Sequence, residues 1–345
     1  MAYTTIDDPS AHFQIALYTG TSDDSAKVVT NDGNSDLQPD WLWIKARSGN
    51  YSTRDHAAYD SSRGATKRLE PNATDAEATD SGNSFSSDGF TATANYSING
   101  PSTEYVAWQW KANGGTTSTN TAGTNIDTTV QANTTAGFSI MTYTGTGTDN
   151  DSIGHGLGAV PHWIIVKNRD ESNGWQIYHH KNTSSPETDY LNLNSNNGTQ
   201  DDSDRWSDQA PSSTVITLGG NDGVSKSSVK YVCYAFTEIQ GYSKFDSYTG
   251  NGNDDGPFVY TGFQPAYVLI KRAVDGGSSQ WHTFDSTRNE SNVANKVLFP
   301  STNDAEASYT GSDPQIDILS NGFKLRSSYN QVNASSGNYV YICFA

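Results

Sequence analysis

The chain has 345 residues and a formal net charge of −17, from 21 Lys and Arg against 38 Asp and Glu. A surface of this charge repels nucleic acid and anionic membranes, so we exclude both as partners. Only 17% of the residues are charged, whereas 8 Trp, 19 Tyr and 12 Phe supply large apolar surfaces to bury, which is typical of a turn-rich β protein and not of a disordered acidic tail.

One unit occurs three times, and three signals in the same order mark each copy. The first signal is the tripeptide Tyr-Thr-Gly, at residues 18–20, 143–145 and 248–250. The second is an apolar run that follows a proline and ends in lysine, at residues 41–45, 163–167 and 267–271. The third is a closing strand, at residues 105–110, 231–236 and 339–344. Copies of roughly 100 residues have the size of an independently folding β-sandwich.

These signals divide the chain into five segments. They are a lead of residues 1–12, a first repeat of residues 13–112, a linker of residues 113–137, a second repeat of residues 138–240 and a third repeat of residues 241–345. In the first repeat Phe13, Ile15 and Leu17 alternate with Gln14 and Ala16, as a half-buried strand requires. The run 41–45 is apolar on both sides of the pleat, which predicts an inner strand covered on both faces.

The closing strand has one heavy face in every copy, formed in the first copy by Val106, Trp108 and Trp110. Period-2 alternation places these side chains together, and we assign them to the core of their own repeat. Each repeat is therefore expected to bury its own interior, as an independent domain does.

Residues 113–137 are rich in Gly, Thr, Asn and Ser. This composition predicts a linker, although Ile126 and Val130 could dock as a short edge strand. By contrast, residues 238–242 join the second and third repeats almost directly, which predicts that these two are held rigidly. No segment of useful length has a helical period, so the predicted fold class is all-β, with three tandem β-sandwich domains.

Cys233 and Cys343 lie in the closing strands of different repeats, so we expect no disulfide between them. No apolar stretch approaches the roughly 20 residues that a bilayer crossing needs. The start of the chain lacks the basic residues and the apolar centre of a signal peptide. We expect a soluble protein that is made in the cytosol and does not insert into membranes.

Lys45, Lys167 and Lys271 stand at the same point in the three repeats. One interpretation is a repeated polar contact with a glycan or with a partner chain. The other, which we favour, is a lysine at the exit of a strand, whose stem covers a core edge while its amine reaches water.

Acidic turns follow the Tyr-Thr-Gly signals, at Asp23 and Asp24, at Asp149 and Asp151, and at Asp254 and Asp255. Carboxylate oxygens in such loops suit Ca²⁺. No twelve-residue calcium loop with a terminal Glu is present, however, and tight turns also require Asp, Asn and Gly. We therefore favour plain turns and no cofactor, and keep as calcium candidates Asp149, Asp151, Asp254 and Asp255.

Two matching carboxylate pairs, Asp75 with Glu77 and Asp304 with Glu306, raise the question of acid–base catalysis as in glycosidases. Carboxylates two residues apart in an extended loop point to opposite sides, so we expect solvated loop residues. The nucleophile-elbow, phosphate-loop and dinucleotide motifs do not occur, and neither do His or Cys pairs at zinc spacing. We assign no catalytic residue and expect a non-enzymatic protein.

Aromatic side chains at a protein surface can stack on sugar rings, whereas large recurrent Trp residues in strands are mostly core. Trp206 lies in the variable loop 201–206, beside Arg205. We predict that Trp206 is exposed, and we name Trp206 and Arg205 as candidate binding residues.

Several pieces of the sequence resemble a family of virion proteins from tailed bacteriophages, especially those of marine bacteria and cyanobacteria. The similar pieces are residues 134–145, 154–169, 241–250, 256–263 and 320–326. The resemblance covers nearly everything from Phe13 to the C-terminus and is more specific in the second and third repeats than in the first. It implies a lectin-like sandwich of the jelly-roll or concanavalin-like type and a place on the virion, in tail fibres or related appendages.

The favoured hypothesis is a non-enzymatic virion protein whose variable loops contact a host-surface glycan or other virion proteins. Because phage fibres are commonly homotrimeric, the resemblance also implies a homo-oligomer, with a trimer as the first guess. The alternatives are a capsid-surface decoration protein and a carbohydrate-binding or polysaccharide-degrading module.

Overall fold

Strands make up most of the fold. The computed structural model describes residues 4–21, 25–93, 95–273 and 278–345. The elements of the first repeat are β1 (Phe13–Thr19), β2 (Lys27–Val29), β3 (Trp41–Gly49), β4 (Ala57–Asp60), β5 (Gly64–Leu69), β6 (Ala78–Thr79), β7 (Ser84–Ser86), β8 (Gly89–Ala92), α1 (Tyr96–Asn99) and β9 (Thr103–Trp110).

Two strands, β10 (Ser118–Asn120) and β11 (Thr128–Asn133), precede the second repeat. The elements of the second repeat are β12 (Phe138–Thr144), β13 (Asp151–Gly154), β14 (Trp163–Asn168), β15 (Gln176–His179), β16 (Asp189–Asn192), β17 (Gln200–Asp201), α2 (Ser203–Trp206), β18 (Val215–Leu218) and β19 (Lys230–Phe236). Those of the third repeat are β20 (Ser243–Thr249), β21 (Phe258–Tyr260), β22 (Tyr267–Arg272), β23 (His282–Asp285), β24 (Lys296–Val297), β25 (Ala307–Ser308), β26 (Ile316–Leu319), β27 (Gly322–Leu325), α3 (Asn330–Asn333) and β28 (Asn338–Phe344).

The three repeats share one arrangement of strands. In each main sheet the closing strand lies between the first strand and the inner strand, in the orders β1-β9-β3-β4, β12-β19-β14-β15 and β20-β28-β22-β23. These pairs are antiparallel. A smaller sheet faces each main sheet, with the orders β2-β8-β7, β13-β18 and β21-β27-β26. The prediction of an all-β sandwich fold is confirmed.

Each repeat has an interior of its own between its two sheets. In the first repeat the lighter face of the closing strand, with Tyr105 and Ala107, packs with Val29 and Phe90 of the smaller sheet. The second and third repeats have corresponding clusters, which contain the buried thiols of Cys233 and Cys343. Both cysteines are free, as expected.

The heavy face of the closing strand packs elsewhere. Trp108 and Trp110 belong to one aromatic cluster with the heavy faces of the other two closing strands, so this cluster is common to all three repeats. The ring of Trp41 stacks on Tyr234 with 4.7 Å between centroids, and Phe344 lies 5.6 Å from Trp110. The assignment of the heavy face to the core of its own repeat is therefore wrong, because alternation indicates which side chains are buried but not which surface covers them.

Residues 113–137 contain strands, which corrects the prediction of a linker. β11 pairs with β12, and β10 pairs with β11, so the segment extends the main sheet of the second repeat. Ile126 and Val130 are buried, in keeping with the edge-strand alternative. The lead also packs, because Ile6 is part of the central cluster.

The Tyr-Thr-Gly signal fastens the first strand of each repeat to the turn before the closing strand. The ring of Tyr248 stacks on Tyr339 at 4.9 Å, and its hydroxyl donates to the carbonyl of Val332 at 2.6 Å. A Cβ at Gly250 would lie 2.3 Å from the carbonyl oxygen of Ala334, so glycine is required there. The same contacts recur around Tyr18 and Gly20 and around Tyr143 and Gly145. The signal therefore serves the fold.

Candidate functional site

The repeats close on one another through three seams: first with second, second with third, and third with first. In each seam a backbone N–H of one repeat donates to a carbonyl of the next, from Glu77 to Arg169 at 2.8 Å, from Thr199 to Ala273 at 2.9 Å and from Glu306 to Arg47 at 2.9 Å. Equivalent ring nitrogens point back across the seams, from Trp175 to the carbonyl of Glu70, from Trp281 to that of Asn192 and from His56 to that of Phe299. Because equivalent contacts recur in all three seams, the repeats form a ring with approximate threefold symmetry.

The first–second seam holds a buried ion-pair cluster, which we call the clamp, formed by Asp60, Arg63, Glu77 and Arg169. Glu77 accepts two hydrogen bonds from Arg169, at 2.8 and 3.0 Å, and pairs with Arg63 at 2.9 Å. Asp60 pairs with Arg63 at 2.5 Å. Burial by itself would raise the pKa of Glu77, but the hydrogen bonds and charges of the two arginines outweigh burial and lower this pKa.

The third–first seam holds a second clamp of the same design, formed by Asp285, Arg288, Glu306 and Arg47. Glu306 accepts two hydrogen bonds from Arg47, at 2.9 and 2.8 Å, and pairs with Arg288 at 3.0 Å. The expectation that the carboxylates of both recurring pairs are solvated is thus wrong for Glu77 and Glu306. It holds for their exposed partners, Asp75 and Asp304.

The second–third seam has uncharged residues in place of a clamp. The four equivalent positions are occupied by His179, Asn182, Thr199 and Ala273. Thr199 donates its hydroxyl to the side-chain oxygen of Asn182 at 2.7 Å. Burial lowers the pKa of His179 to about 3, so its imidazole is neutral. The side-chain nitrogen of Asn182 is buried and has no hydrogen-bond partner within the described chain.

A groove of about 640 Å³ opens in this seam. One wall is the turn 181–184 of the second repeat, and the other is the edge of β20 at residues 247–249. Ala273 lines the groove at the position where the other two repeats carry an arginine, so the missing side chain adds to its width. We call this recess the seam groove and take it as the candidate functional site.

The recurring lysines lie inside the protein, and neither interpretation of them holds. Lys45, Lys167 and Lys271 are fully buried. Their amines donate to backbone carbonyls, Lys45 to Ala46 and Ser52, Lys167 to Thr74 and Asn168, and Lys271 to Ser279. Burial lowers their pKa values to about 8, about 8 and about 7, respectively. Each lysine satisfies carbonyls under a loop and is unavailable to a ligand.

Trp206 is buried, so the prediction that it is exposed is wrong. The loop forms the short helix α2, which directs the indole inward, where its Nε1 donates to the carbonyl of Asp189 at 3.1 Å. Arg205 lies with its guanidinium 4.4 Å from the ring centroid of Tyr190. The pair anchors the loop, and Trp206 presents no ring to a sugar.

The proposed calcium ligands take part in turns. Their carboxylates accept from or pair with protein groups: Asp149 with the N–H of Gly220, Asp151 with Asn125 and Thr146, Asp254 with the N–H of Ser328, and Asp255 with the amine of Lys324. Within the ranges that the structure describes, no three His, Cys, Asp or Glu side chains are grouped so as to hold a metal ion. Asp23 and Asp24 lie outside the described residues.

One signal in the sequence could have indicated the seam groove before the structure was known. Both arginines of the first clamp, Arg63 and Arg169, correspond to small residues in the second–third seam, Asn182 and Ala273. Each of these positions holds an arginine in the other two copies. Its replacement by an uncharged residue indicates that this seam lacks the ion pairs that close the other two.

Fold and groove together define an all-β protein whose three repeats share one strand arrangement around a common core, with a polar recess in one seam. The chain belongs to a family described as a domain of unknown function, DUF7483, which matches residues 8–345. The match treats the three repeats as one unit. No curated protein and no solved structure matches the chain. Over the described residues, no helix is both long enough and apolar enough to span a bilayer.

Proposed function

We propose that the chain is a non-enzymatic structural protein of a tailed-bacteriophage virion, located in a tail fibre or a related appendage. The resemblance of its second and third repeats to virion proteins supports this assignment. In this role the three sandwiches form a rigid body, and their surface loops contact neighbouring virion proteins or a glycan on the host.

One observation carries the proposal: the polar residues that recur among the repeats are used inside the ring. The three lysines satisfy buried carbonyls, and Glu77 and Glu306 close two seams. The polar residues that the repeats share therefore stabilise the ring. The residues that differ between repeats lie in the outer loops and in the seam groove. A rigid body that carries differing surfaces is suited to attachment.

Labelling of particles tests the location. Antibodies raised against the chain and detected by immunogold electron microscopy should label tail appendages of the phage that encodes it. Label on the capsomers would favour a capsid decoration protein instead, and particles without label would contradict a virion role. Release of reducing ends from host polysaccharide by the purified protein would contradict the non-enzymatic assignment.

We also propose that the protein is a homo-oligomer, as phage fibres commonly are. One chain has a mass of 37.3 kDa. Multi-angle light scattering of the purified protein should give a multiple of this mass, with a trimer as the first expectation. A mass of one chain at micromolar concentration would contradict the proposal.

A further inference from the structure

The second repeat shows how a strand edge of this type is covered. Its first strand, β12, is covered along the outer edge by β11, with Gln131 opposite Ile140. The side chain of Gln131 also donates to the hydroxyls of Ser61 and Ser62, at 2.7 Å each. These serines belong to the turn after β4 of the first repeat. β11 is therefore held by a strand edge on one side and by a turn of the preceding repeat on the other.

The seam groove also lies between a strand edge and a turn of the preceding repeat. Because Tyr248 corresponds to Tyr143, residues 247–249 of β20 correspond to residues 142–144 of β12. The turn 181–184 follows β15 as the serine turn follows β4. In the described chain β20 is the terminal strand of its sheet, whereas β12 lies inside its own. In the second repeat β11 pairs with residues 138–142 of β12, so the groove begins where that pairing ends, at Ser247, the counterpart of Thr142.

The first half of the β20 edge is closed. Gly250 donates its N–H toward β28, so the odd-numbered residues of this antiparallel strand direct their backbone groups outward. At Phe245 these groups are in use, because its N–H donates to Glu238 at 2.9 Å and its carbonyl lies 2.5 Å from Nε2 of His180. A partner strand therefore has no access to this half.

The second half of the β20 edge faces the groove. Ser247 and Thr249 are exposed there. The N–H of Ser247 donates to the carboxylate of its neighbour Asp246 at 2.8 Å, a local bond that a strand carbonyl can replace. An exposed strand edge is a template for another strand.

The walls of the groove also carry side-chain groups that suit a peptide. The buried, unpaired nitrogen of Asn182 belongs to the turn that lines the groove. In the clamped seams an arginine occupies this position, and its guanidinium donates to carboxylates, Arg63 to Glu77 and Arg288 to Glu306. A peptide carbonyl or amide side chain brought into the groove is an acceptor for it, as Gln131 is a donor to the serine turn.

We propose that the seam groove binds an extended polypeptide segment of a partner protein, which adds to β20 at Ser247 and Thr249 as an antiparallel strand. Strand addition derives its affinity from main-chain hydrogen bonds and its selectivity from alternate side chains. β11 pairs with the adjoining part of this edge in the second repeat, and its sequence Thr-Thr-Val-Gln-Ala-Asn indicates the chemistry of the partner: an uncharged segment of Thr, Gln and Asn that alternate with small apolar residues. The inference rests on the proposed function only for placing the partner in the virion.

Binding of a model peptide tests the proposal. The probe is a fluorescein-labelled peptide of residues 117–134, and the receptor is the full chain, followed by fluorescence anisotropy. We expect saturable binding. Thr249→Pro should weaken it about tenfold or more, because proline removes one outward N–H donor and is tolerated on an edge strand. The matched control is Thr19→Pro, the same change at the equivalent position of the terminal strand β1, which should leave the affinity unchanged.

Amide hydrogen exchange on the unmodified chain gives a second readout that does not depend on a variant. The peptide should slow exchange at Ser247 and Thr249. Absence of saturable binding at about 1 mM peptide, a level that corresponds to negligible affinity, overturns the proposal. So does an equal loss in both proline variants, or a change of exchange along β12 in place of β20. An oligosaccharide that protects the same two amides overturns it in favour of a glycan site. These results are independent of particle labelling, which tests the virion assignment.

Discussion

The buried lysines show how a charged side chain can serve a fold without reaching solvent. The amine of Lys45 donates to the backbone carbonyls of Ala46 and Ser52, at 2.8 and 2.6 Å. Unpaired buried carbonyls are costly, so the lysine offsets that cost while its own desolvation lowers its pKa. The same compromise recurs at Lys167 and Lys271.

This compromise predicts a pH dependence. The pKa of Lys45 is lowered from 10.5 to about 8 in the fold, so between these values the unfolded chain binds more protons and the free energy of unfolding rises with pH. The buried cysteine and tyrosine groups act in the opposite sense, so the difference between wild type and Lys45→Met isolates the lysine. That difference in unfolding free energy should grow by ~1–2 kcal/mol from pH 7.5 to pH 9.5 in urea titrations. Lys181→Met, at an exposed lysine, is the control. A difference that does not grow with pH contradicts a buried amine.

Trp206 permits a second test of burial. Trp206→Ala should lower the free energy of unfolding by about 3–5 kcal/mol, because it removes a buried indole and leaves a cavity. Arg205→Ala, next to it in the chain, should cost about 1 kcal/mol, since it removes a cation–π contact with half-buried Tyr190 and a partly exposed ion pair with Asp202. Equal and small effects in thermal or urea unfolding would mean that the indole is not part of the core.

At the scale of the elements, the strands were predictable and their partners were not. Alternation located the first, inner and closing strands of each repeat, because one face of each must be buried. It did not distinguish the heavy face of β9, which meets other repeats, from the lighter face, which meets its own smaller sheet. Both faces are apolar, and the sequence of a strand does not specify which surface packs against each face.

The clamps give a prediction at this scale. Glu306→Ala leaves the mostly buried guanidinium group of Arg47 without a counter-charge and leaves Arg288 with Asp285 alone, so it should cost about 3–5 kcal/mol of unfolding free energy. Thr199→Ala, at the equivalent position of the clamp-free seam, removes a neutral hydrogen bond and should cost about 0.5–1.5 kcal/mol. Chemical unfolding of both variants measures the contrast. Equal costs would show that the clamp does not hold its seam.

The candidate site was harder to predict than the fold. The seam groove joins a turn near Asn182 to a strand edge near Thr249, which are far apart in the sequence, and only the closure of the ring brings them together. The lysines were candidates because they recur in all three repeats, whereas the seam groove occurs at one seam. Recurrence among internal copies follows from shared packing, so it selects residues that hold the fold, whereas a binding surface can occur in a single copy.

At the scale of the whole molecule, the shared aromatic core makes one folding unit of three repeats. The central cluster draws on the heavy faces of all three closing strands, and large aromatics dominate core energetics because each buries 150–250 Å², roughly. A repeat removed from the ring would expose this aromatic face to water. The independent domains that the sequence predicted would instead keep their apolar faces buried when separated.

Calorimetry and a fragment test this unity. The full chain should unfold in one cooperative transition, and a fragment of residues 241–345 should show no such transition and should self-associate through the face that carries Tyr267 and Phe344. The comparison uses near-ultraviolet circular dichroism and scanning calorimetry. A fragment with a sharp transition of its own and native-like aromatic signals would show that the third repeat folds alone.

Covalent linkage of the three repeats has a consequence for how the ring can evolve. In a ring of three identical subunits, one mutation changes all three interfaces. A charge cluster is then retained or lost at every interface at once. Here the gene specifies each junction separately. Asn182 and Ala273 could replace two arginines at one junction while Arg63, Arg169, Arg47 and Arg288 went on holding the other two shut, and such local freedom lets a new recess arise without a second mutation to rescue the ring.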